Sequence, residues 1–361
     1  MRLLRSRLRV KHLLAAGAVA GAMAGCAATG PSPSPTPVVA ETWISVTTPA
    51  EEIDSVSAWR TSEGAVLVVA TAKAVDRLRV YDGRDGRFLR GIGSGGDEPG
   101  RFRRPNGLFV VDGLAFVVER DNHRVQVIDL AQDRSLGQFG ADTLHTPYGL
   151  WIWRQAEGRY RVYVTDSYYT DQRQVPPDGE LGARIKLFEV VVAGDQLQAR
   201  LLAAFGETAE PGVVRTVESI WGDPEHARLL VADENPAGRN LKVYDLDGRF
   251  TGTVVGSGLF AFEPEGIALV RCEAPGEGYW VVSDQHLEQQ RFLLFDRRTL
   301  APAGVFAPRT TRMVDGIWFQ PDAGAPFAGA ALYSQHADAA VAAFDWSAIS
   351  AALDLRPGCD R

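Results

Sequence analysis

The sequence predicts an all-β fold, a six-bladed β-propeller of four-stranded antiparallel blades with a short C-terminal helix, and three observations point to it. A unit recurs six times at a spacing of about fifty residues, the range of propeller blades rather than of helical solenoids. Each unit has an inner segment with a turn residue at its head, then an apolar segment ending in polar groups, then an apolar segment that in most units ends in an acid. The dipeptides Asp82-Gly83, Asp85-Gly86, Asp112-Gly113, Asp178-Gly179 and Asp247-Gly248 separate short Val, Leu, Phe and Tyr runs, as meandering antiparallel strands require.

In chain order the units use residues 55–60, 66–71 and 78–82; 107–110, 114–121 and 124–129; and 148–153, 160–166 and 185–190. Three more use 218–222, 229–233 and 241–245; 265–270, 279–284 and 292–296; and 315–319, 331–336 and 341–345. The last unit lacks an evident fourth strand, and residues 42–46 are expected to complete it. Helix-like apolar spacing occurs only over 346–355, where Ser347 is the expected cap.

The N-terminus reads as an export signal over residues 1–26. Arg2, Arg5, Arg7, Arg9 and Lys11 precede an apolar run over 13–24, too short and wrongly flanked for a membrane-spanning helix. Met23-Ala24-Gly25-Cys26 resembles a bacterial lipobox with Met in place of the usual leucine. That resemblance implies lipidation of Cys26 and a membrane-anchored lipoprotein of the cell envelope; a plain signal peptide and secretion are the second reading. Residues 27–41 read as a Pro/Ser-rich tether, with proline alternating with Ser or Thr over 31–37. The remaining residues 42–361 suit one propeller rather than two domains, and a monomer is expected.

Beyond Cys26 only Cys272 and Cys359 remain, which excludes a zinc cluster built on cysteine. In an exported chain they form a disulfide or stay as two inert thiols. A net charge of −7 argues against a general nucleic-acid binder. Of the four lysines, Lys186 and Lys242 fall at surface positions by strand alternation, and Lys73 falls in a loop.

Propeller geometry brings the heads of the innermost strands and the loops after the second strands to one face of the central channel. The heads are Asp54, Asn106, Tyr148, Glu218, Glu265 and Asp315. The loops carry Lys73; Glu119, Arg120 and Asp121; Asp166 and Ser167; Asp233, Glu234 and Asn235; Asp284 and His286; and His336 and Asp338. Converging carboxylates need neutralisation, and an oxygen-rich ring suits a hard cation such as calcium. Lys73 and Arg120 on the same face suit a phosphate. Strand-end acids also cap turns, an even alternative for any one of them, whereas the convergent set Glu218, Glu265 and Asp315 favours function.

Other motifs carry less. Gly91, Gly93 and Gly96 have dinucleotide-fingerprint spacing, but Asp97-Glu98-Pro99-Gly100 follows instead of a helix. The six histidines include no metal-spaced pair, and there is no nucleophile elbow. Trp59, Trp151, Trp221 and Trp318 recur on inner strands and are expected to pack blade against blade.

From about Glu218 onward the chain resembles the β-propeller phytases. The resemblance lies in VESIWGD followed by LLVADEN, in PEGIAL, in GYWVVSDQ leading to FLLFDR, in VDGIW, and in PFAGAALYSQHAD with VAAFDWSAI. The first half resembles the family only at residues 54–59 and 71–82; residues 99–129 resemble an NHL repeat. The phytase resemblance implies a calcium-dependent phosphohydrolase that releases phosphate from myo-inositol hexakisphosphate (phytate) by metal-activated water. It implies Glu218, Glu265, Asp315 and Asp54 as calcium ligands, Glu218 also serving the catalytic step, Asp233 at the cleavage centre, and Lys73 and Arg120 as phosphate binders. Against the family pattern, Met313 and Trp318 stand where acids flank the aspartate of VDGIW, and a lysine is replaced near Ser167. Two other readings stand beside it: a non-catalytic NHL-like propeller binding a ligand or protein at the cell envelope, and a single-calcium propeller lactonase drawing on Asn106, Glu218 and Asp315.

Overall fold

The structure, a computed structural model, describes residues 35–360; the expected signal with Cys26, and the tether up to residue 34, lie outside them. Six four-stranded antiparallel sheets follow one another along the chain. Blade 1 is Ile53–Arg60, Val66–Ala72, Arg77–Asp82 and Phe88–Ile92, and blade 2 is Pro105–Val111, Leu114–Glu119, Arg124–Asp129 and Arg134–Phe139. Blade 3 is Pro147–Ala156, Arg159–Asp166, Ile185–Ala193 and Gln196–Phe205, and blade 4 is Ile220–Asp223, Arg228–Asp233, Asn240–Asp245 and Phe250–Val255. Blade 5 is Glu263–Arg271, Gly278–Gln285, Arg291–Asp296 and Pro302–Pro308; blade 6 has Ile317–Gln320, Ala331–His336 and Ala340–Asp345. Each innermost strand touches those of both neighbouring blades, and blade 6 touches blade 1, so the ring is closed.

Closure uses the N-terminal segment, as the sequence led one to expect. Trp43–Ile44 pairs antiparallel with Ala340–Asp345 and supplies the missing outer strand of blade 6. The packed domain starts earlier than Thr42, however. Val38–Val39 pairs in parallel with Pro302–Pro308 as a fifth strand of blade 5, and Glu41 accepts from the Thr310 and Thr311 amides at 2.9 and 2.6 Å. At the other end, the helix Trp346–Ala352 is capped by Asp345 rather than Ser347, its side chain accepting from the Ser347 amide at 3.0 Å. A Cys272–Cys359 disulfide ties the C-terminal segment to blade 5, settling the pairing the sequence left open.

The polar marks of the repeat have structural causes. Asp129, Asp245 and Asp296 end third strands and accept amides two or three residues on, capping the turn into the fourth strand. Acids ending second strands tie down the loop ahead of their own blade: Asp166 accepts from Thr146, Asp284 from Phe262, and Glu119 from Arg103. Each also pairs with a base at or near the head of the third strand, Glu119 with Arg124, Asp166 with Lys186 and Asp284 with Arg291. Lys186 and Lys242 are therefore not surface residues. Both are buried, because a propeller sheet is covered on both faces; Lys186 reaches Asp166 at 3.1 Å and Lys242 donates to the Pro211 carbonyl at 2.8 Å.

Candidate functional site: an acidic cup at one mouth of the channel

A β-bulge kinks the inner strand in blades 1, 2, 3 and 5, between Ile53 and Val56, Pro105 and Leu108, Pro147 and Leu150, and Pro264 and Ile267. The bulge carries a polar head residue followed by a small one: Asp54-Ser55, Asn106-Gly107, Tyr148-Gly149 and Glu265-Gly266. Blades 4 and 6 repeat the pair as Glu218-Ser219 and Asp315-Gly316. The small residue is a steric requirement at the channel waist. A Cβ on Gly149 would lie 2.2 Å from the Glu218 carbonyl oxygen, and one on Gly107 would lie 2.3 Å from that of Tyr148. Second-strand hydroxyls fasten the heads from blade to blade, Thr71 donating to the Asn106 carbonyl at 2.8 Å and Thr165 to that of Glu218 at 2.7 Å.

Above this waist Asp54, Tyr148, Glu218, Glu265 and Asp315 line a cavity of about 30 Å³, room for one water or one ion. Carboxylate oxygens of Glu218, Glu234 and Glu265 come within 4.8 Å of one another. Glu234 and Glu265 are buried, whereas Glu218 and Asp315 keep some surface toward the mouth. Glu234 Oε1 is buried without a hydrogen-bond partner. Gln285 donates to Asp315, and Gln335 ties the group to Asp338, donating at 2.9 Å and accepting from the Asp315 amide at 3.2 Å.

Burial, and then the charge of Asp54, push Glu218 up to about 8. Burial and the neighbouring acids likewise hold Glu234, Glu265 and Asp315 well above the carboxylate range. Burial works against the charge on Lys73, and Asp54, 2.7 Å away, outweighs it together with Asp315 and Glu218. Burial and the charge of Glu218 push Tyr148 up to about 12, against the pull of Arg120.

The structure thus brings Glu218, Glu265, Asp315, Asp54, Lys73 and Arg120 to the same mouth. It adds Glu234, which the repeat marks only as one of three polar residues after a strand, and Glu263, whose charge acts on Glu218, Glu234 and Glu265. Asp233 holds a different place. It is fully buried and accepts the Arg215 and Thr216 amides at 3.1 Å, the blade 4 counterpart of Asp166 and Asp284. A substrate phosphate cannot reach a side chain enclosed in this way. Lys73 is engaged by Asp54, and Arg120 pairs with Asp121 at 2.7 Å and with the Tyr148 hydroxyl. Ser167 is fully buried. Trp318 sits three residues down its strand from Asp315, about 10 Å along an extended chain, and Met313 lies ahead of it with a left-handed backbone. Trp221 and Trp318 pack against the clusters between blades as expected, and they also meet Phe109 across the axis and plug the channel.

The raised acids set a pH dependence. Between the ordinary value of 4.5 and about 8 the folded chain holds a proton on Glu218 that the unfolded chain has released, so stability falls as pH rises through that window. Thermal melts in chelator are expected to show a melting temperature that declines from pH 5 to pH 8, and added calcium is expected to abolish the decline. A chelated protein equally stable at both ends would show that the cup is already neutralised from within.

No protein-family model matches the chain, and no curated protein matches it. Among solved structures, a chain of a nidogen/laminin complex is 13% identical with a TM-score of 0.47, over 76% of this chain and 86% of that one. A Kuenenia stuttgartiensis hydrazine synthase chain is 10% identical with a TM-score of 0.44, over 86% and 97%. The WD40 domain of SCAP from fission yeast is 9% identical with a TM-score of 0.42, over 79% and 60%. Likeness at this level bears on nothing beyond the fold.

Proposed function

We propose that the chain is a calcium-dependent phosphohydrolase of the phytase-like kind, acting on phosphate esters at the acidic cup. The observation that carries the reading is the convergence of Glu218, Glu234 and Glu265 around a buried, unpartnered carboxylate oxygen. An unpaired buried acceptor is costly, and an all-carboxylate donor set fits a hard divalent cation. Glu218, Glu234 and Glu265 would hold it, with Asp315 and Asp54 at the edge. Bound there, a divalent cation would neutralise phosphate oxygens and lower the pKa of a water molecule.

The chain's own groups divide the remaining work. Arg120, oriented by Asp121 and by the Tyr148 hydroxyl, stands beside the cup as a guanidinium for phosphate oxygens. Lys73 is the internal counter-ion of Asp54 and would be available to a phosphate once that carboxylate were neutralised otherwise. Gln285 and Gln335 fix Asp315, so the acid wall is held in place before any ligand arrives. Export to the cell envelope through residues 1–26 accords with such a scavenging role and is part of the proposal.

Phosphate release from phytate by the purified protein, with calcium and then with chelator, tests the reading. Release that appears with calcium and disappears with chelator is the expected result. A second reading, binding without chemistry, is favoured by the engagement of Lys73 with Asp54; calcium binding with no release from phytate or from any simpler phosphate ester would select it.

A further inference from the structure

The far mouth of the channel carries a second site of opposite character. Phe109, Trp221 and Trp318 come from alternate blades and touch in a triangle, with ring centroids 5.3, 5.0 and 5.5 Å apart. Each stands three residues beyond a polar head residue, Asn106, Glu218 and Asp315, so the same strands that carry polar groups at one mouth carry aromatic rings at the other. The triangle separates the cup from a cavity of about 480 Å³ on the far face, within the size range of small-molecule pockets.

The lining of that cavity is one-sided in its chemistry. Its side chains are apolar except for Trp151, Trp153, Trp221, Trp318, Arg154 and Arg271, and indole and guanidinium groups donate hydrogen bonds without accepting them. No acid, amide or hydroxyl side chain lines it. Arg154 is held by Asp112 at 2.6 Å, whereas Arg271 is exposed and forms no ion pair among the described residues. Trp153, Trp221 and Trp318 are half-buried, leaving ring surface open to a ligand. From these features we infer that the far mouth is a binding site for a small anion built on an aromatic ring system, its ring against Trp221 and Trp318 and its acid group toward Arg271. Aromatic stacking and a charge-assisted hydrogen bond are the two interactions such a lining offers an aromatic anion, whereas a cation finds only ring faces and is repelled by Arg154 and Arg271.

The test uses the full protein, tryptophan fluorescence, and 2-naphthoate with the cation 2-naphthylmethylamine as its counterpart. Saturable quenching by 2-naphthoate, at least about tenfold tighter than any by the amine, is expected. Arg271→Gln, a surface change that leaves the core intact, is expected to weaken 2-naphthoate at least about tenfold, the scale of a hydrogen bond to a charged group. Glu265→Gln, at the other mouth, is expected to leave it unchanged. Equal binding of anion and cation, no effect of Arg271→Gln, or loss of binding in Glu265→Gln would each overturn the inference. Because neither calcium nor phosphate enters this experiment, its outcome is independent of the function proposed for the cup.

Discussion

Glu265→Gln is expected to make the calcium-free protein more stable and, at the same time, to weaken calcium by about tenfold to a hundredfold and to end calcium-dependent phosphate release. The two effects share one cause. Glu265 is buried among Glu218, Glu234 and Asp315, and each of these acids raises the cost of ionising the others. Replacing one carboxylate by an amide of the same shape relieves that repulsion, so the chelated variant should melt higher than the unaltered protein near neutral pH. The same change removes one charged contact to a bound cation, worth about 1.5–3 kcal/mol. Most buried substitutions destabilise, which makes the sign of the first effect informative. Melts in chelator and in calcium, run beside a phosphate-release assay, read both. A variant that melts lower in chelator and releases phosphate at the original rate would remove Glu265 from the site.

Arg297→Leu is expected to cost about 3–5 kcal/mol of stability without changing calcium binding. The guanidinium is buried between blades 4 and 5, bidentate to Asp223 at 2.9 and 2.6 Å and also bonded to Glu225 at 2.7 Å. Burial alone pushes Asp223 upward, and Arg297, with His226, outweighs it and holds the carboxyl below its ordinary value. Without Arg297 the fully buried Asp223 keeps only His226 and the Glu225 amide. Denaturant unfolding followed by calcium titration of the folded variant checks both parts. A loss under about 1 kcal/mol would mean that water or His226 replaces the guanidinium.

The blades were legible because their marks answer to local physics. Acids at third-strand ends are turn caps, which need a carboxylate at a fixed offset, and so Asp129, Asp245 and Asp296 announce a blade boundary. The same regularity misled at Asp233, since second-strand acids bind the loop ahead of their own blade and a cap cannot be told from a ligand in one sequence. Lys186 and Lys242 misled for a related reason. Alternation implies an exposed face only where a sheet has one, and here both faces pack on neighbouring blades. Glu234 was marked only as one of three polar residues after a strand, and Glu263 escaped notice because it precedes the marked Glu265 on a strand whose bulge decides which of the neighbours points into the cup. The aromatic triangle was hidden too, since its members stand in different blades and meet only across the axis.

The central claim is that the cup binds a divalent cation in place of protons. Calorimetric titration of calcium into the chelator-treated protein near neutral pH, repeated in buffers of different ionisation enthalpy, measures this directly. Saturable binding accompanied by proton release, and about tenfold to a hundredfold weaker in the Glu265→Gln protein, is the expected result. No binding in the unaltered protein, or binding that releases no protons and is undiminished in the variant, would contradict it.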